Sequence, residues 1–284
     1  MSCYLILDVN NLSSRFFHAI ASFGTYELSK STIAYGLLRD LVFLVDRFIP
    51  DRVVFCFDHP INKRDEYFPG YRADRKRKRK NLTKDVQEAY FEFKRQLNEI
   101  REVHLPALGF NNILYEEGCE ADDMIAAACD EVGEVDNAVL VSSDQDLYQL
   151  LTENISIWQP NKSKQFTLKM FKKEYKVEPS QWIEVKAIAG CKSDGIVGVG
   201  GVGEKSALKF LRNELREDSK YARLIEYSED NIAYNRPLVA LPFNGTPEVK
   251  LVEDNTSANK WRKVLTEIRL TKLIASCPFP AEVE

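Results

Sequence analysis

The sequence predicts an α/β fold with a central, mostly parallel sheet, followed by a helix-rich C-terminal part. Two short apolar runs that each end in aspartate, Cys3–Val9 and Arg52–Asp58, have the composition of buried strands. Helix-like segments separate these runs from each other and from later apolar runs, and this alternation is typical of βαβ units. From Pro179 onward the chain instead reads as short helices separated by glycines.

The remaining elements are predicted in order along the chain. Ser31 or Thr32 caps a helix that runs toward Phe48, because apolar residues recur there at helical spacing. Thr83 caps a long helix through Ile100. The elements predicted next are a strand at Asn112–Tyr115, a helix at Ala121–Val132, a strand at Asn137–Ser142 and a short helix at Leu147–Leu151.

The C-terminal part is predicted to contain two helices around a glycine-rich stretch. The helices are Gln181–Gly190 and Ser206–Leu215. We place a domain boundary near Asn161–Lys173, which divides the chain into residues 1–165 and 166–284.

Composition excludes several classes of protein. The chain has 284 residues, of which 44% are hydrophobic and 29% charged, a globular rather than a disordered profile. No run approaches the roughly 20 apolar residues of a membrane span, and the N-terminus lacks the basic start of a signal peptide. None of the six cysteines forms a CxxC pair, which predicts reduced thiols in the cytoplasm rather than disulfides or a zinc site.

Charge is distributed unevenly along the chain. The net charge is −4, but Lys63–Lys84 carries ten Lys/Arg and three Asp/Glu, a local net charge of +7. Within it, Arg75–Lys80 reads RKRKRK. A basic tract on an acidic body predicts a polyanion as the partner of the tract and a cation as the partner of the acids. A solvated charged loop is the alternative for the tract alone.

Acidic residues stand where predicted strands end and where predicted helices begin. Sites in parallel sheets lie outside the carboxyl ends of the strands, so these side chains are expected to converge. Close carboxylates repel one another unless cations neutralise them. The set comprises Asp8, Asp58, Glu120, Asp122, Asp123, Asp144, Asp146 and Asp194.

An oxygen-only ligand set of this kind suits Mg²⁺ or Mn²⁺. Two such ions roughly 4 Å apart can activate a water and stabilise the leaving oxygen in phosphodiester cleavage. Each acid also has a plainer interpretation: Asp122 and Asp123 can complement a helix dipole, and Asp144 can cap the next helix.

The glycine-rich stretch from Gly198 to Gly203 is followed by Glu204 and Lys205. It is neither a dinucleotide fingerprint nor a P-loop, because it follows a helix and because Glu204 separates glycine from lysine. A glycine hairpin between two helices can present backbone amides to phosphates and grip a duplex without reading its sequence. Lys205 and Lys209, one helical turn apart, favour this interpretation over a tight loop. The predicted contacts are Gly198, Gly200, Gly201, Gly203, Lys205 and Lys209.

Aromatic residues are interleaved with basic residues before the RKRKRK run. Bases of a single strand stack on aromatic rings while its phosphates meet cations, so this segment is a candidate single-strand site. Tyr67 and Tyr71, four residues apart, are expected to share a helix face. Two core tyrosines beside a solvated run are the alternative. The segment comprises Arg64, Tyr67, Tyr71, Arg72 and Arg75.

Three segments carry a family resemblance: EADDMIAAA, VSSDQDLYQLL and SDGIVGVGGVGEKSA, in that order and spacing. With them the chain resembles the bacterial and phage 5′-nucleases, the 5′→3′ exonuclease and flap endonuclease family that includes the nuclease domain of bacterial DNA polymerase I. The resemblance runs from ILDVNN to NRPLVALPF. It implies a PIN-like catalytic domain over residues 1–165, a helical arch at about residues 60–105, and a helix-hairpin-helix duplex-binding region over residues 166–284.

The resemblance also implies two metal-binding groups. In the second group the family normally has Asp where this chain has Cys191, and commonly Asn where it has Gly195, which leaves the strength of that group in question. The tighter group corresponds to Asp8, Asp58, Glu120, Asp122 and Asp123, and the second to Asp144, Asp146 and Asp194.

Further roles follow from the same resemblance. Arg72 and Arg75 match a Lys-x-x-Arg segment at the base of the arch, where the family usually has Lys first. Lys186 matches a lysine near the second metal group. Gly198 to Lys205 match the helix-hairpin-helix region, which in relatives also holds a monovalent cation such as K⁺.

The expected function is Mg²⁺-dependent, structure-specific hydrolysis of DNA at 5′ ends and flaps, with Mn²⁺ able to substitute. RNA in RNA–DNA hybrids is a further expected substrate, because the grip reads backbone and shape. The expected state is a monomer, not bound to membranes, in the cytoplasm of a bacterium or of a phage-infected host. Two alternatives stay open: a structure-specific DNA-binding protein with weak catalysis, and a ribonuclease on a similar acidic sheet.

Overall fold

A computed structural model of the chain describes residues 1–22 and 29–279. Its strands are β1 (Cys3–Asp8), β2 (Arg52–Cys56), β3 (Asn112–Leu114), β4 (Asn137–Val141), β5 (Ile155–Gln159), β6 (Lys164–Phe166), β7 (Gly190–Cys191) and β8 (Ile196–Val197). Six of them form one sheet in the order β3-β2-β1-β4-β5-β6. The first five run parallel and β6 is antiparallel to β5, which confirms the mostly parallel sheet. A separate antiparallel ribbon pairs β7 with β8.

Helices cover both faces of this sheet. They are α1 (Val9–Ser22), α2 (Thr32–Phe48), α3 (Lys63–Tyr67), α4 (Ala73–Lys80), α5 (Lys84–Glu99), α6 (Leu105–Leu108), α7 (Ala121–Val132), α8 (Leu168–Tyr175), α9 (Trp182–Ala189), α10 (Glu204–Leu211), α11 (Lys220–Glu226), α12 (Glu229–Val239) and α13 (Ala258–Glu267). A π-helical turn at Ile100–His104 lies between α5 and α6. Over residues 1–22 and 29–279, no helix combines the length and the apolar character needed to cross a bilayer.

Side chains of the central strand alternate between two cores. Leu5 and Leu7 of β1 pack into the core beneath α2, whereas Tyr4 and Ile6 pack into the core beneath α7. The strands beside β1 are parallel to it, so the carboxyl ends of β1, β2 and β4 lie at one edge of the sheet. Residues that follow these three strands are therefore brought together.

Most predicted elements are confirmed to within a few residues. Elements that the sequence did not predict include α1, β5, β6, α8 and the ribbon of β7 and β8. Helix α1 begins directly after β1, so no turn residue marks its start. Ser31 and Thr83 precede their helices as predicted, but neither side chain makes a cap hydrogen bond. The Ser31 hydroxyl donates instead to the carbonyl oxygen of Ile268, 3.0 Å away.

The core beneath α7 crosses the predicted domain boundary. It contains Leu140 of β4, Phe166 of β6 and Trp182 of α9 in one packed cluster. The division into residues 1–165 and 166–284 stays a prediction.

The basic tract folds as two short helices, α3 and α4, before α5 returns toward the sheet. Helix α3 ends at Tyr67, and Phe68 is extended because it precedes a proline. Tyr71 therefore lies in the turn before α4 and not on α3. The predicted helix face shared by Tyr67 and Tyr71 is wrong.

Candidate active site

Four carboxylates meet at the edge of the sheet where β1, β2 and β4 end. Asp8 is the last residue of β1, Asp58 lies just beyond β2, Asp122 is in the first turn of α7, and Asp144 follows β4. All four line one cavity of about 500 Å³ beneath the arch. We refer to these four residues as the first carboxylate group.

Backbone and hydroxyl donors fix this group in place. The Oδ1 atom of Asp8 accepts from the backbone N–H of Asn11, and its Oδ2 atom accepts from the Ser142 hydroxyl, each at 2.9 Å. Asp58 accepts from the backbone N–H of Ala121, also at 2.9 Å. The start of α1, the end of β4 and the start of α7 thus position the two aspartates.

Burial and crowding raise the pKa values of two members of this group, Asp8 and Asp122. Burial, and then the charge of Asp58, raise the pKa of Asp8 to about 7. Burial, and then Asp144, raise the pKa of Asp122 well above its ordinary value. Raised carboxyl pKa values mean that the charged form lacks compensation, and a divalent cation with oxygen ligands supplies it. The residues present fit an ion such as Mg²⁺ or Mn²⁺.

A second group lies beside the first. One ligand atom from each of Asp146, Cys191 and Asp194 falls within 4.8 Å of the other two. Asp146 follows β4, Cys191 ends β7, and Asp194 lies in the turn that links β7 to β8. Asp146 and Asp194 are two of the three acids that the resemblance implies for the second metal group. The third, Asp144, lines the cavity of the first carboxylate group.

Cys191 takes part in the second group through its sulfur. The Sγ atom lies 2.8 Å from Oδ2 of Asp194 and 3.0 Å from the Ser193 hydroxyl. Burial, and then Asp194, raise the pKa of the Cys191 thiol to about 12. A neutral thiol is a poor ligand for a hard cation, so the donor set of this group suits Mg²⁺ less well than the first group does.

Lys186 connects the second group to the glycine hairpin. Its Nζ atom lies 3.0 Å from Oδ1 of Asp146 and 3.2 Å from Oε1 of Glu204, the first residue of α10. Burial opposes its charge, but Asp146 and Glu204 nevertheless raise the pKa of Lys186. The sequence placed Lys186 near this group, and the structure brings it into direct contact.

The arginines at the base of the arch also reach the second group. Arg72 Nε lies 2.7 Å, and Arg75 Nη2 3.3 Å, from Oδ1 of Asp194. Burial alone would raise the pKa of Asp194, but Arg72 and its neighbours hold it below the ordinary value. Arg72 adopts a φ of 53°, a left-handed conformation that side chains seldom take and that concentrates at functional sites.

Gly195 allows the turn after β7 to approach the arch. Its φ is 77°, and a Cβ atom there would lie 2.9 Å from the carbonyl oxygen of Gly70. The backbone N–H of Arg72 donates to the carbonyl oxygen of Asp194 at 2.7 Å across the same contact. A side chain at position 195 would push these two segments apart.

The structure contradicts the predicted metal role of Asp123. Its side chain is fully buried, and the guanidinium of Arg64 meets its two oxygens at 2.6 and 2.8 Å. The backbone N–H groups of Glu120 and Phe243 donate to the same carboxylate. Asp123 points into the protein because it is the third residue of α7, one position past the site-facing Asp122.

Arg64 and Tyr71 are also buried, so their predicted DNA contacts are wrong. Arg64 is 2% exposed, and its Nε atom donates to the carbonyl oxygen of Leu238. Tyr71 is 4% exposed, and its hydroxyl donates to Glu120 at 2.6 Å. Both side chains are core residues beneath the arch.

The predicted roles of Glu120 and Tyr67 are neither confirmed nor contradicted. The Glu120 carboxylate is held by Tyr71 and Arg72 rather than facing the first carboxylate group, so its ligand role stays a prediction. Tyr67 is exposed, as a nucleic-acid contact must be, and its ring stacks on Tyr234 at 5.4 Å.

The glycine hairpin divides into a tightly packed and an open part. A Cβ atom at Gly198 would lie 2.3 Å from the backbone of Ala189, so this glycine allows the hairpin to pack against α9, and its DNA contact stays a prediction. Among the residues that the structure describes, nothing lies within 4 Å of a Cβ atom built at the next three glycines. The exposed positions are Gly200, Gly201, Gly203, Lys205 and Lys209.

Sequence reasoning missed cations and aromatics that the arch brings to the site. Tyr90 and Lys94 of α5 line the cavity of the first carboxylate group, together with Arg79 of α4. Arg79 lies over the Tyr90 ring at 5.0 Å. The spacing of four residues between Tyr90 and Lys94, on the helix after the basic tract, is the signal that could have found them.

Known proteins resemble this chain over its whole described length. A family model for the N-terminal resolvase-like domain of 5′-3′ exonucleases matches residues 3–176. A 5′-3′ exonuclease of Aquifex aeolicus is 27% identical over 96% of this chain and 94% of its own. A 5′-3′ exonuclease of Bacillus subtilis is 30% identical over 73% of this chain and 69% of its own. DNA polymerase I of Mycobacterium tuberculosis is 31% identical over 73% of this chain, which spans only 22% of that enzyme.

Solved structures share the fold. The 5′-exonuclease of bacteriophage T5 with divalent zinc ions superposes with a TM-score of 0.73 at 23% identity, over 97% of this chain and 99% of that one. The catalytic core of Rad2 in complex with a DNA substrate superposes with a TM-score of 0.61 at 14% identity, over 97% of this chain and 93% of that one. These likenesses establish the α/β architecture, a mostly parallel sheet flanked by helices.

Proposed function

This chain belongs to the 5′-3′ exonuclease family, and from that premise we propose that it is a metal-dependent 5′-nuclease that hydrolyses DNA at 5′ ends and flaps. One observation carries the proposal. The first carboxylate group, in which the pKa values of Asp8 and Asp122 are raised, lines the same cavity as the arch cations Arg72, Arg75 and Arg79. A site for hard cations that faces a row of arginines suits a phosphodiester, whose oxygens bind both.

The names of relatives support this substrate class. A flap endonuclease of bacteriophage T5 was solved with DNA and metal ions, and the Rad2 core was solved with a DNA substrate. Each covers nearly all of this chain.

Mg²⁺ is the proposed cofactor, with Mn²⁺ able to substitute. Asp8, Asp58, Asp122 and Asp144 would hold the tighter ion, and Asp146 and Asp194 the weaker one. A bound ion of this type supplies a water with a lowered pKa and neutralises charge on the reacting phosphate. Asp123 takes no part in this revised ligand set, whereas Glu120 stays a predicted ligand of the tighter ion.

The chain's own cations position the phosphate. Arg72 and Arg75 hold Asp194 without DNA, and an incoming phosphate competes with that carboxylate for the two guanidinium groups. Lys186 stays charged between Asp146 and Glu204, so it orients the second group and limits the repulsion between its acids.

The open part of the hairpin is the proposed duplex contact. Lys205 and Lys209 are exposed on α10, next to backbone N–H groups at Gly200, Gly201 and Gly203. Contacts of this kind bind backbone phosphates in any sequence, which is why we extend the proposal to RNA–DNA hybrids. The same proposal includes K⁺ at the hairpin and a monomeric state. It also includes a cytoplasmic setting, in which the six free cysteines stay reduced.

Cleavage assays on matched substrates test the proposal. We expect a 5′-flap DNA to be cut in Mg²⁺, and a single strand and a structured RNA of equal length to be cut much less. Asp122→Asn should abolish cleavage while leaving flap binding measurable in Ca²⁺.

A DNA-binding protein with weak catalysis is the second candidate, and the thiol of Cys191 in the second group favours it. Flap binding without cleavage in either Mg²⁺ or Mn²⁺ would select that candidate. Preferential cleavage of the structured RNA would select a ribonuclease.

A further inference from the structure

A second cavity adjoins the first. Its volume is about 400 Å³, and it shares Asp58, Arg72, Arg75, Arg79 and Lys94 with the cavity of the first carboxylate group. Because these five side chains line both cavities, we treat the two cavities as the mouths of one passage beneath the arch. The second mouth is formed by residues that no step of the proposed reaction uses: His59, Pro60, Asn98, Arg101 and Tyr115.

A cation lies over an aromatic ring at this mouth. The guanidinium carbon of Arg101 is 3.5 Å from the centre of the Tyr115 ring, and the His59 ring centre is 4.8 Å from the same ring. The three side chains come from three elements: the loop after β2, the residue after β3, and the segment after α5. The His59 and Tyr115 rings are tilted by 50° to each other, and with the planar guanidinium they offer π-systems of the kind against which nucleobases pack.

An unusual backbone places Arg101 there. Residues Ile100–His104 form a π-helical turn, in which one extra residue shifts the side chains that follow α5. π-Helical turns are rare and frequently occur at functional sites. In a continuous α-helix the direction of the side chain at position 101 would be different, so the turn is what aims Arg101 at Tyr115.

The charges at this mouth favour a polyanion. Six cationic side chains line the second cavity against three carboxylates, those of Asp58, Asp65 and Glu120. Burial lowers the pKa of Lys94, the charge of Asp58 opposes this, and Arg79 and Arg101 add to the lowering. Arg101 is paired with Glu102 at 2.6 Å, so an incoming phosphate competes with that carboxylate for its guanidinium. Nδ1 of His59 contacts the backbone of Ile61, at 3.1 Å from its nitrogen and 3.3 Å from its carbonyl oxygen, and this contact holds the ring at the mouth.

We propose that His59, Tyr115 and Arg101 form a stacking subsite for one unpaired nucleotide of the 5′ strand, at the mouth of the passage beneath the arch. Lys94 and Arg79 contact the phosphate that precedes this nucleotide on the side of the first carboxylate group. This inference rests on the proposed function, because the passage must carry a 5′ single strand. The subsite reads no base identity, since every base offers a π-face.

Flap substrates that carry 2-aminopurine at successive flap positions test the subsite in Ca²⁺, without turnover. Stacking on the Tyr115–His59 pair should quench fluorescence at one or two neighbouring positions and not along the whole flap. Tyr115→Leu should restore that fluorescence and weaken flap binding about 5- to 100-fold, the range for removal of one stacked base. Binding of a nicked duplex without a flap should not change, and Tyr115→Phe should behave like the wild type.

Arg95 provides a matched control for Arg101. It lies on the preceding helix and pairs with Glu92 and Glu99, away from both cavities. Arg101→Ala should shift or abolish the position-dependent quenching, and Arg95→Ala should not. Should Tyr115→Leu fail to fold, His59→Ala and the wild-type position scan carry the test.

Uniform or absent quenching along the wild-type flap would overturn the subsite, and so would equal losses of affinity for flapped and nicked DNA in Tyr115→Leu. Failure of the proposed function looks different: the wild-type protein would then not cleave flaps in Mg²⁺ or Mn²⁺ at all. A protein that cleaves flaps but shows no position-dependent quenching disproves the subsite and leaves the nuclease activity intact.

Discussion

Arg64 and Asp123 form a buried, two-pronged ion pair beneath the arch, with N–O distances of 2.6 and 2.8 Å. Arg64 belongs to α3 and Asp123 to the first turn of α7, so the pair fixes the base of the arch to the helix that carries the site. Asp122, the adjacent residue, instead faces the first carboxylate group. Two neighbouring aspartates therefore have opposite roles.

These roles predict opposite effects of the same substitution. Asp123→Asn leaves Arg64 as a buried, poorly compensated cation and should lower the free energy of unfolding by about 3–5 kcal/mol. Asp122→Asn relieves repulsion with Asp144 and Asp8, so in EDTA it should keep or raise the melting temperature while abolishing cleavage. Thermal unfolding of both variants, beside cleavage in Mg²⁺, measures the difference. A normally stable but inactive Asp123→Asn protein would restore Asp123 to the metal ligands.

Arg72 is expected to act on the reaction more than on binding. Its guanidinium lies at Asp194, where the phosphate is proposed to sit, so Arg72→Ala should lower the single-turnover cleavage rate more than flap affinity. Arg72→Gly is the control, because glycine relieves the left-handed backbone at this position while also removing the charge. If Arg72→Ala and Arg72→Gly lose the same cleavage rate, the loss is due to the missing guanidinium. Equal losses of rate and affinity would speak against a role at the reacting phosphate.

The basic run is expected to set the salt dependence of binding. Helix α4 exposes most of its cationic side chains, so replacing Arg75–Lys80 with uncharged residues should reduce the slope of log affinity against log salt. The expected reduction is about 0.7 for each single-strand phosphate that the variant no longer neutralises. Flap binding measured over a salt series in Ca²⁺ gives the slope. An unchanged slope would make the run a solvated surface.

Cys191 is expected to weaken the second group for Mg²⁺. Cys191→Asp adds a hard oxygen ligand beside Asp146 and Asp194, so it should lower the Mg²⁺ concentration for half-maximal cleavage. The concentrations of Mg²⁺ and Mn²⁺ that give half-maximal cleavage should also become more similar, since Mn²⁺ tolerates softer ligands and depends less on the added oxygen. Calorimetric titration of metal into the DNA-free protein provides a readout apart from activity, with Cys191→Ser as the control. An unchanged Mg²⁺ titration would show that this position is not a ligand.

Local sequence was enough to predict the architecture. Apolar runs ending in aspartate predicted β1 and β2, and helical spacing of apolar residues predicted α2, α5 and α7, because strand and helix periods are local properties of the chain. The rule that sites lie at the carboxyl ends of parallel strands then brought Asp8, Asp58 and Asp144 together. Helix α1 escaped prediction because it follows β1 without a turn, and the π-helical turn after α5 has no sequence signature.

The sequence by itself determined which residue types gather at the site: acids at strand ends, a basic tract and a glycine hairpin. Only the tertiary structure decided which of them face solvent. Asp122 and Asp123 are adjacent in sequence, yet a helix turns successive side chains by about 100°, so one faces the cavity and the other faces Arg64. The sequence predicted Arg64 and Tyr71 as nucleic-acid contacts, but packing buries both side chains. Nothing in the sequence relates Tyr115, Arg101 and His59 to one another, and they come together only because three elements pack side by side. Contacts between residues distant in sequence depend on how the elements pack, and this is information that local patterns of charge and hydrophobicity do not contain.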